Sequence, residues 1–237
     1  MTFQTNSLGE IIVSCFSKDV WRLVYPALLQ TLYMVGLSAL YTFIGGMIFG
    51  IILYISNPTG LKVSTKLYNP LSSIINALRS FPSMIMIIIT LPLARLITGQ
   101  GYGMKAAIIA LSISCIPMYA RLVENSLLEI DKGKIEACVS MGIDTKKILW
   151  KVVIPETVPI LIRSFIVALI AIISMTAIAG SFGAGGLGNV AIQYGFNRFR
   201  YDIMLATVVV LVVMAQVIQL IGDRIVKMVL KKRHQVS

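Results

Sequence analysis

Long uncharged stretches alternate with short charged ones along this chain. The run from Leu23 to Leu61 carries no acidic or basic residue, and about 20 apolar residues suffice to cross a bilayer as a helix. It predicts one span over 27–55, ended by the turn chemistry of Asn57-Pro58-Thr59-Gly60. Two uncharged runs of 15 residues, Ser80–Ala94 and Ala106–Ala120, come next. Arg95, Lys105 and Arg121 stand at their ends, where long side chains can snorkel to the headgroups. These runs predict spans over 80–97 and 105–122 joined by a turn at Thr98–Gly103; a re-entrant hairpin is the alternative. Lys62, Lys66 and Arg79 read as a basic linker before them. No charge occurs between Arg163 and Arg198, which predicts a fourth span over 163–180, broken by Gly180–Gly188. Ile203–Gly222 predicts a fifth, over 203–222. The chain thus reads as an all-α integral membrane protein. Segment 1–24 is extracytoplasmic or interfacial with a short surface helix, 25–230 is the membrane domain, and 231–237 is a basic tail.

Composition agrees. Of 237 residues only 13% are charged and mean hydropathy is +0.86, whereas soluble domains carry about 25% charge. The net charge of +11 would suggest nucleic acid in a soluble chain. Here the bases sit between apolar runs, where they report orientation. Fifteen of the 21 Lys and Arg fall on one side of the predicted spans and six on the other. The side with fifteen is cytoplasmic, so the N-terminus is outside and the C-terminus inside. Cys15, Cys115 and Cys138 have no metal-ligand spacing, and Ile12-Val13-Ser14-Cys15 lacks the basic start of a lipoprotein signal.

The remaining charges limit the mechanism. All ten acidic residues lie outside the predicted spans or at their ends, and the single histidine, His234, is in the tail. Proton-driven carriers keep such groups mid-membrane, so a relay is not expected. No G-x-x-x-x-G-K-[ST] occurs. Gly183-Ala184-Gly185-Gly186-Leu187-Gly188 matches G-x-G-x-x-G, but at the outer end of a span rather than after a strand. It reads as an irregular turn at the mouth of a pathway. The chain is therefore passive, or is driven by a partner through the long charged segment Arg121–Pro155 on the ATP side. Asp144 can cap a second short helix there, closed by Pro155, and Gly46–Gly50 is a GxxxG that lets another helix approach.

Within that segment stand Glu136-Ala137-Cys138, then Gly142, then Val152-Val153-Ile154-Pro155. The spacing resembles the EAA loop of ABC importer permeases, with Cys138 in place of a second Ala and Val152 and Ile154 in place of Ile and Leu. Arg79-Ser80-Phe81-Pro82, Arg121–Asn125, Leu127–Ile130, Gly183–Gly188, Gln193-Tyr194-Gly195 and Gly222–Val226 add a resemblance, over about residues 26–233, to the methionine ABC importer permeases. The resemblance implies a type I ABC importer permease fold with five transmembrane helices per subunit and cytoplasmic coupling helices in the loop 123–156. It implies a homodimer in a bacterial inner membrane, two cytoplasmic ABC ATPases that hold the ATP-Mg, and an extracytoplasmic methionine-binding protein. This chain would bind no cofactor and hydrolyse nothing itself. Glu136, Ala137, Cys138, Gly142, Val152, Ile154 and Pro155 would couple it to the ATPase. Ser174, Met175, Thr176 and Ile178, with Gly183, Gly185, Gly186 and Gly188, would line the translocation path of an alternating-access cycle. The alternatives are a permease for another amino acid, or a stand-alone secondary carrier or channel. A membrane-embedded enzyme or scaffold would need a polar cluster at the interface, and none is visible.

Overall fold

The structure, a computed structural model, describes residues 8–232. Residues 1–7 of the N-terminal segment and 233–237 of the tail, with His234, lie outside the described residues. A short helix, α1 (Leu8–Ser14), precedes α2 (Lys18–Ser56). The charged residues Lys18, Asp19 and Arg22 therefore open the first long helix instead of preceding it. At about 1.5 Å per residue, the 39 residues of α2 exceed the hydrocarbon thickness. The other long apolar helices are α5 (Gly103–Leu128), α8 (Ile154–Gly180) and α10 (Tyr201–Lys232), and the shorter α4 (Ser83–Thr98) is equally apolar.

The supposed linker 62–79 is a helix, α3 (Thr65–Ser80). Phe81 ends it in extended backbone (φ −69°, ψ 135°), the conformation Pro82 imposes on the residue before it. Among the described residues four helical stretches are long and apolar enough to cross a membrane, and the broken pair α3–α4 makes a possible fifth. Four of the five predicted crossings coincide with helices that are long and apolar enough by themselves, and the second coincides with α4, which reaches that length only together with α3 across a bend of 111°.

Packing divides the chain into two compact units. One comprises the chain up to Ser38, Ser83–Leu111 and Ala171–Val217; the other comprises Ala39–Pro82, Ser112–Ile170 and the chain from Ile218. In the first, Met34, Ile87, Ile108, Leu111 and Ala179 form one apolar cluster, and Val20, Val24, Leu187 and Ile203 another. In the second, Tyr54, Tyr119, Leu127, Ile148 and Val153 are packed together.

The GxxxG of α2 belongs to the second unit and meets α5. A Cβ on Gly46 would lie 2.4 Å from Tyr119, and one on Gly50 would lie 2.5 Å from Val123 and 2.7 Å from the Ala120 carbonyl oxygen. Small residues let the helices close to contact distance. Gly50→Val is expected to overpack this seam and to destabilise the fold by about 1–3 kcal/mol. A thermal unfolding midpoint in detergent equal to wild type would rule that contact out.

Candidate functional site: the charged loop and the glycine turn

α5 runs past its predicted end to Leu128, so the charged excursion is shorter and more ordered than its sequence suggests. Asp131 caps α6 (Lys132–Ser140), its carboxylate accepting from the Gly133 amide at 2.8 Å. α6 ends where the Gly142 amide donates to the Val139 carbonyl (2.9 Å) and the Ile143 amide to the Cys138 carbonyl (3.1 Å). That pair of bonds is the Schellman arrangement, which needs a left-handed residue after the cap. Gly142 supplies it with φ +72°. The glycine six residues after Glu136 thus has a backbone reason. Asp144 caps the next turn, α7 (Thr145–Ile148), by accepting from the Lys146 amide.

Pro155 does not close this second helix. α7 passes through a π-helical turn, Leu149–Val153, directly into α8, giving continuous helix from Thr145 to Gly180. A proline ring collides with the carbonyl four residues earlier, and the wider π turn, which includes that residue, Lys151, ends two residues before Pro155. Movement of the loop end is therefore movement of the root of a membrane helix.

The coupling residues inferred from sequence divide by exposure. Glu136, Ala137 and Gly142 are exposed. Cys138 is not: at 8% exposure it joins Tyr54, Tyr119, Leu127, Ile148 and Val153 in the core, with Val152 and Ile154 packed against them. These residues anchor the loop, and Cys138 presents nothing outward. The outer surface carries three large apolar side chains that sequence reasoning missed: Val139, Met141 and Trp150, each more than half exposed. Their only signal was their apolar character in a charged segment. An ion pair from Lys134 to Glu156 ties α6 to α8, and that hydrogen bond holds the lysine's pKa above its ordinary value.

Glu124, which the sequence places just beyond the third predicted span, is buried. Because α5 continues, Glu124 lies inside it at 1% exposure, paired with Arg121 at 2.5 Å. It is a neutralised pair near the end of the helix rather than a lone relay group.

The path residues inferred from sequence all lie in the first unit. Ser174 is exposed on α8. Met175 and Ile178 pack against the Met34–Ile87 cluster. Thr176 is buried, its hydroxyl donating to the Ile173 carbonyl at 2.6 Å, so it faces its own subunit. Gly183, Gly185 and Gly186 have φ of +76°, +83° and +77° and turn the chain into α9 (Gly186–Val190). Two side chains of α2 hold the turn: the Gln30 amide oxygen accepts from the Gly186 amide (2.8 Å) and the Thr31 hydroxyl from the Leu187 amide (2.9 Å). A Cβ on Gly188 would lie 2.5 Å from the Ala177 backbone, and one on Gly180 2.4 Å from the Asn189 nitrogen. The glycines permit a backbone-to-backbone hairpin, and the G-x-G-x-x-G match follows a helix, not a strand.

A bundle of long apolar helices interrupted by a capped, anchored helical loop is the layout of a transport permease. Residues 46–235 match the family of binding-protein-dependent transport system inner membrane components, and the chain belongs to that family. Among its relatives, the probable D-methionine transport system permease protein MetI of Vibrio cholerae is 41% identical over 87% of this chain and 92% of its own length. The methionine import system permease protein MetP of Bacillus subtilis is 39% identical over 90% and 95%. A solved structure described as an inward facing conformation of the MetNI methionine ABC transporter superposes with a TM-score of 0.87 at 37% identity, covering 90% of this chain and 99% of that one.

Proposed function

We propose that this chain is the membrane-spanning permease subunit of an ATP-driven ABC importer for methionine. The observation that carries the reading is the loop itself. Its outer surface offers Glu136, Ala137 and the Gly142 turn, with Val139, Met141 and Trp150 beside them, while its inner surface is rooted in the core. Such a surface suits a cytoplasmic ATPase: small residues permit close approach, and exposed apolar side chains supply contact. Because α7 continues into α8, a displacement of the ATPase reaches the membrane through one helix.

Two copies of the chain, two ATPases and an external methionine-binding protein complete the assembly; the relatives' names and the MetNI neighbour support this composition. The excess of Lys and Arg on the side of the loop supports an N-terminus outside and a C-terminus in the cytoplasm. ATP-Mg binds the ATPase, not this chain. Along the path, Ser174 is the residue of α8 best placed to meet substrate, since it is exposed where Thr176 is not.

Proteoliposomes holding this chain with its ATPase and binding protein are expected to accumulate labelled methionine only when ATP faces the loop. Uptake by the chain alone would replace the reading with a stand-alone carrier. Absence of uptake by the complete assembly would remove methionine as substrate.

A further inference from the structure

In the second unit, three segments meet at one polar cluster, buried at Asn57 and Glu124, half-buried at Tyr68, Ser72 and Arg121, and exposed at Asn76. The Glu124 carboxylate, on α5, accepts from the Arg121 guanidinium at 2.5 Å and from the Asn57 side-chain amide at 2.8 Å. The orientation of Asn57, just past α2, is set independently: its carbonyl oxygen accepts from both the amide and the hydroxyl of Thr59, so its NH2 group must face Glu124. That NH2 group also donates to the Tyr68 hydroxyl at 3.2 Å.

Arg121 does more than neutralise Glu124. Its Nε donates to the Asn76 side-chain oxygen at 3.1 Å. One terminal nitrogen serves Glu124 and the Tyr68 hydroxyl, and the other serves the carbonyl and hydroxyl of Ser72. A guanidinium has five N–H groups in a rigid plane, and here each has an acceptor. Three of those acceptor residues, Tyr68, Ser72 and Asn76, recur every four residues along α3 and so share one face of it.

The cluster therefore binds α3 to the inner ends of α2 and α5. The same ends carry the loop: Tyr54, Val123 and Leu127 share a core with Cys138, Ile148 and Val153. α3 is followed, after only Phe81 and Pro82, by the second membrane span.

We infer that Arg121 and Glu124 are positioning residues for coupling: they make α3 part of the body that carries the ATPase-facing loop, so that loop movement reaches the second span through α3 as well as the fourth through α8. The inference rests on the importer reading above. Around the buried Glu124 and Asn57 the network has its partners present and is stiff there, and removing one member leaves a buried polar group unpaired. That stiffness suits a link that transmits displacement.

The test is the number of methionines imported per ATP hydrolysed by the complete transporter in proteoliposomes. Glu124→Gln keeps the shape and loses the charge. The double variant Tyr68→Phe with Asn76→Ala leaves the ion pair intact and cuts only contacts to α3. In each, the ratio is expected to fall about fivefold or more, the scale of a typical coupling free energy, with hydrolysis continuing. If Glu124→Gln fails to assemble, the double variant decides. A wild-type ratio in the double variant overturns the inference, including the case in which uptake and hydrolysis fall in equal proportion, because that pattern marks a purely structural role. Failure of the importer reading itself is distinguishable, since the wild-type assembly would then show no ATP-driven uptake.

Discussion

Gly142→Asp is expected to leave the chain in the membrane at wild-type abundance while lowering ATP-driven methionine uptake by about tenfold or more, a loss of roughly 1.4 kcal/mol or greater in the coupled contact. Space is not the obstacle: no heavy atom lies within 4 Å of a Cβ built at this position. Two other effects act. The left-handed backbone, φ +72°, costs a residue with a side chain about 1–2 kcal/mol, less for Asp than for most. A carboxylate also enters the exposed surface that the proposed function places against the ATPase, where an unpaired charge would be desolvated without compensation. Gly142→Ala carries only the backbone cost and should retain most uptake. The check is uptake and ATP hydrolysis measured on the same proteoliposomes. Wild-type uptake by Gly142→Asp would refute docking at this turn.

Gly188→Ala is expected to lower the thermal midpoint in detergent, through overpacking of about 1–3 kcal/mol. The added methyl group would meet the Cα, carbonyl oxygen and carbonyl carbon of Ala177 at 2.5–2.8 Å. Backbone atoms in the last turns of α8 cannot turn aside as a side chain can, so the α8–α9 hairpin must open. For a chain of this size the shift is roughly 2–4 °C for each kcal/mol. Gly183→Ala is the comparison, because nothing lies within 4 Å there and only its φ of +76° opposes the change. A wild-type midpoint combined with reduced uptake in Gly188→Ala would place Gly188 on the substrate path instead of in the packing.

Both substitutions act on glycines visible in the sequence, yet for reasons the sequence leaves open. The interval from Glu136 to Gly142 could be seen as a pattern; that it closes a helix through bonds to Val139 and Cys138 required the backbone. The Gly183–Gly188 run could be placed at a helix break. Its clamping by Gln30 and Thr31, some 150 positions earlier, could not. Helix α3 was missed because Asn69, Pro70, Ser72, Ser73 and Asn76 dilute its apolar positions. Two of them, Ser72 and Asn76, accept from Arg121, so part of what hid the helix explains its place.

From sequence alone came the apolar runs that become the long helices, the uneven placement of Lys and Arg between them, and the charged segment that becomes the capped loop. Each depends on a property additive along the chain, namely transfer of apolar residues into lipid and attraction of Lys and Arg to one face. Tertiary structure alone decided that Cys138 turns inward, that Glu124 is buried, that α3 is a helix and that the π turn lets α8 continue through Pro155. These depend on partners far apart in sequence, as Asn57 is from Glu124. A polar group can be buried only where such a partner satisfies it, and no reading of neighbouring residues supplies that partner.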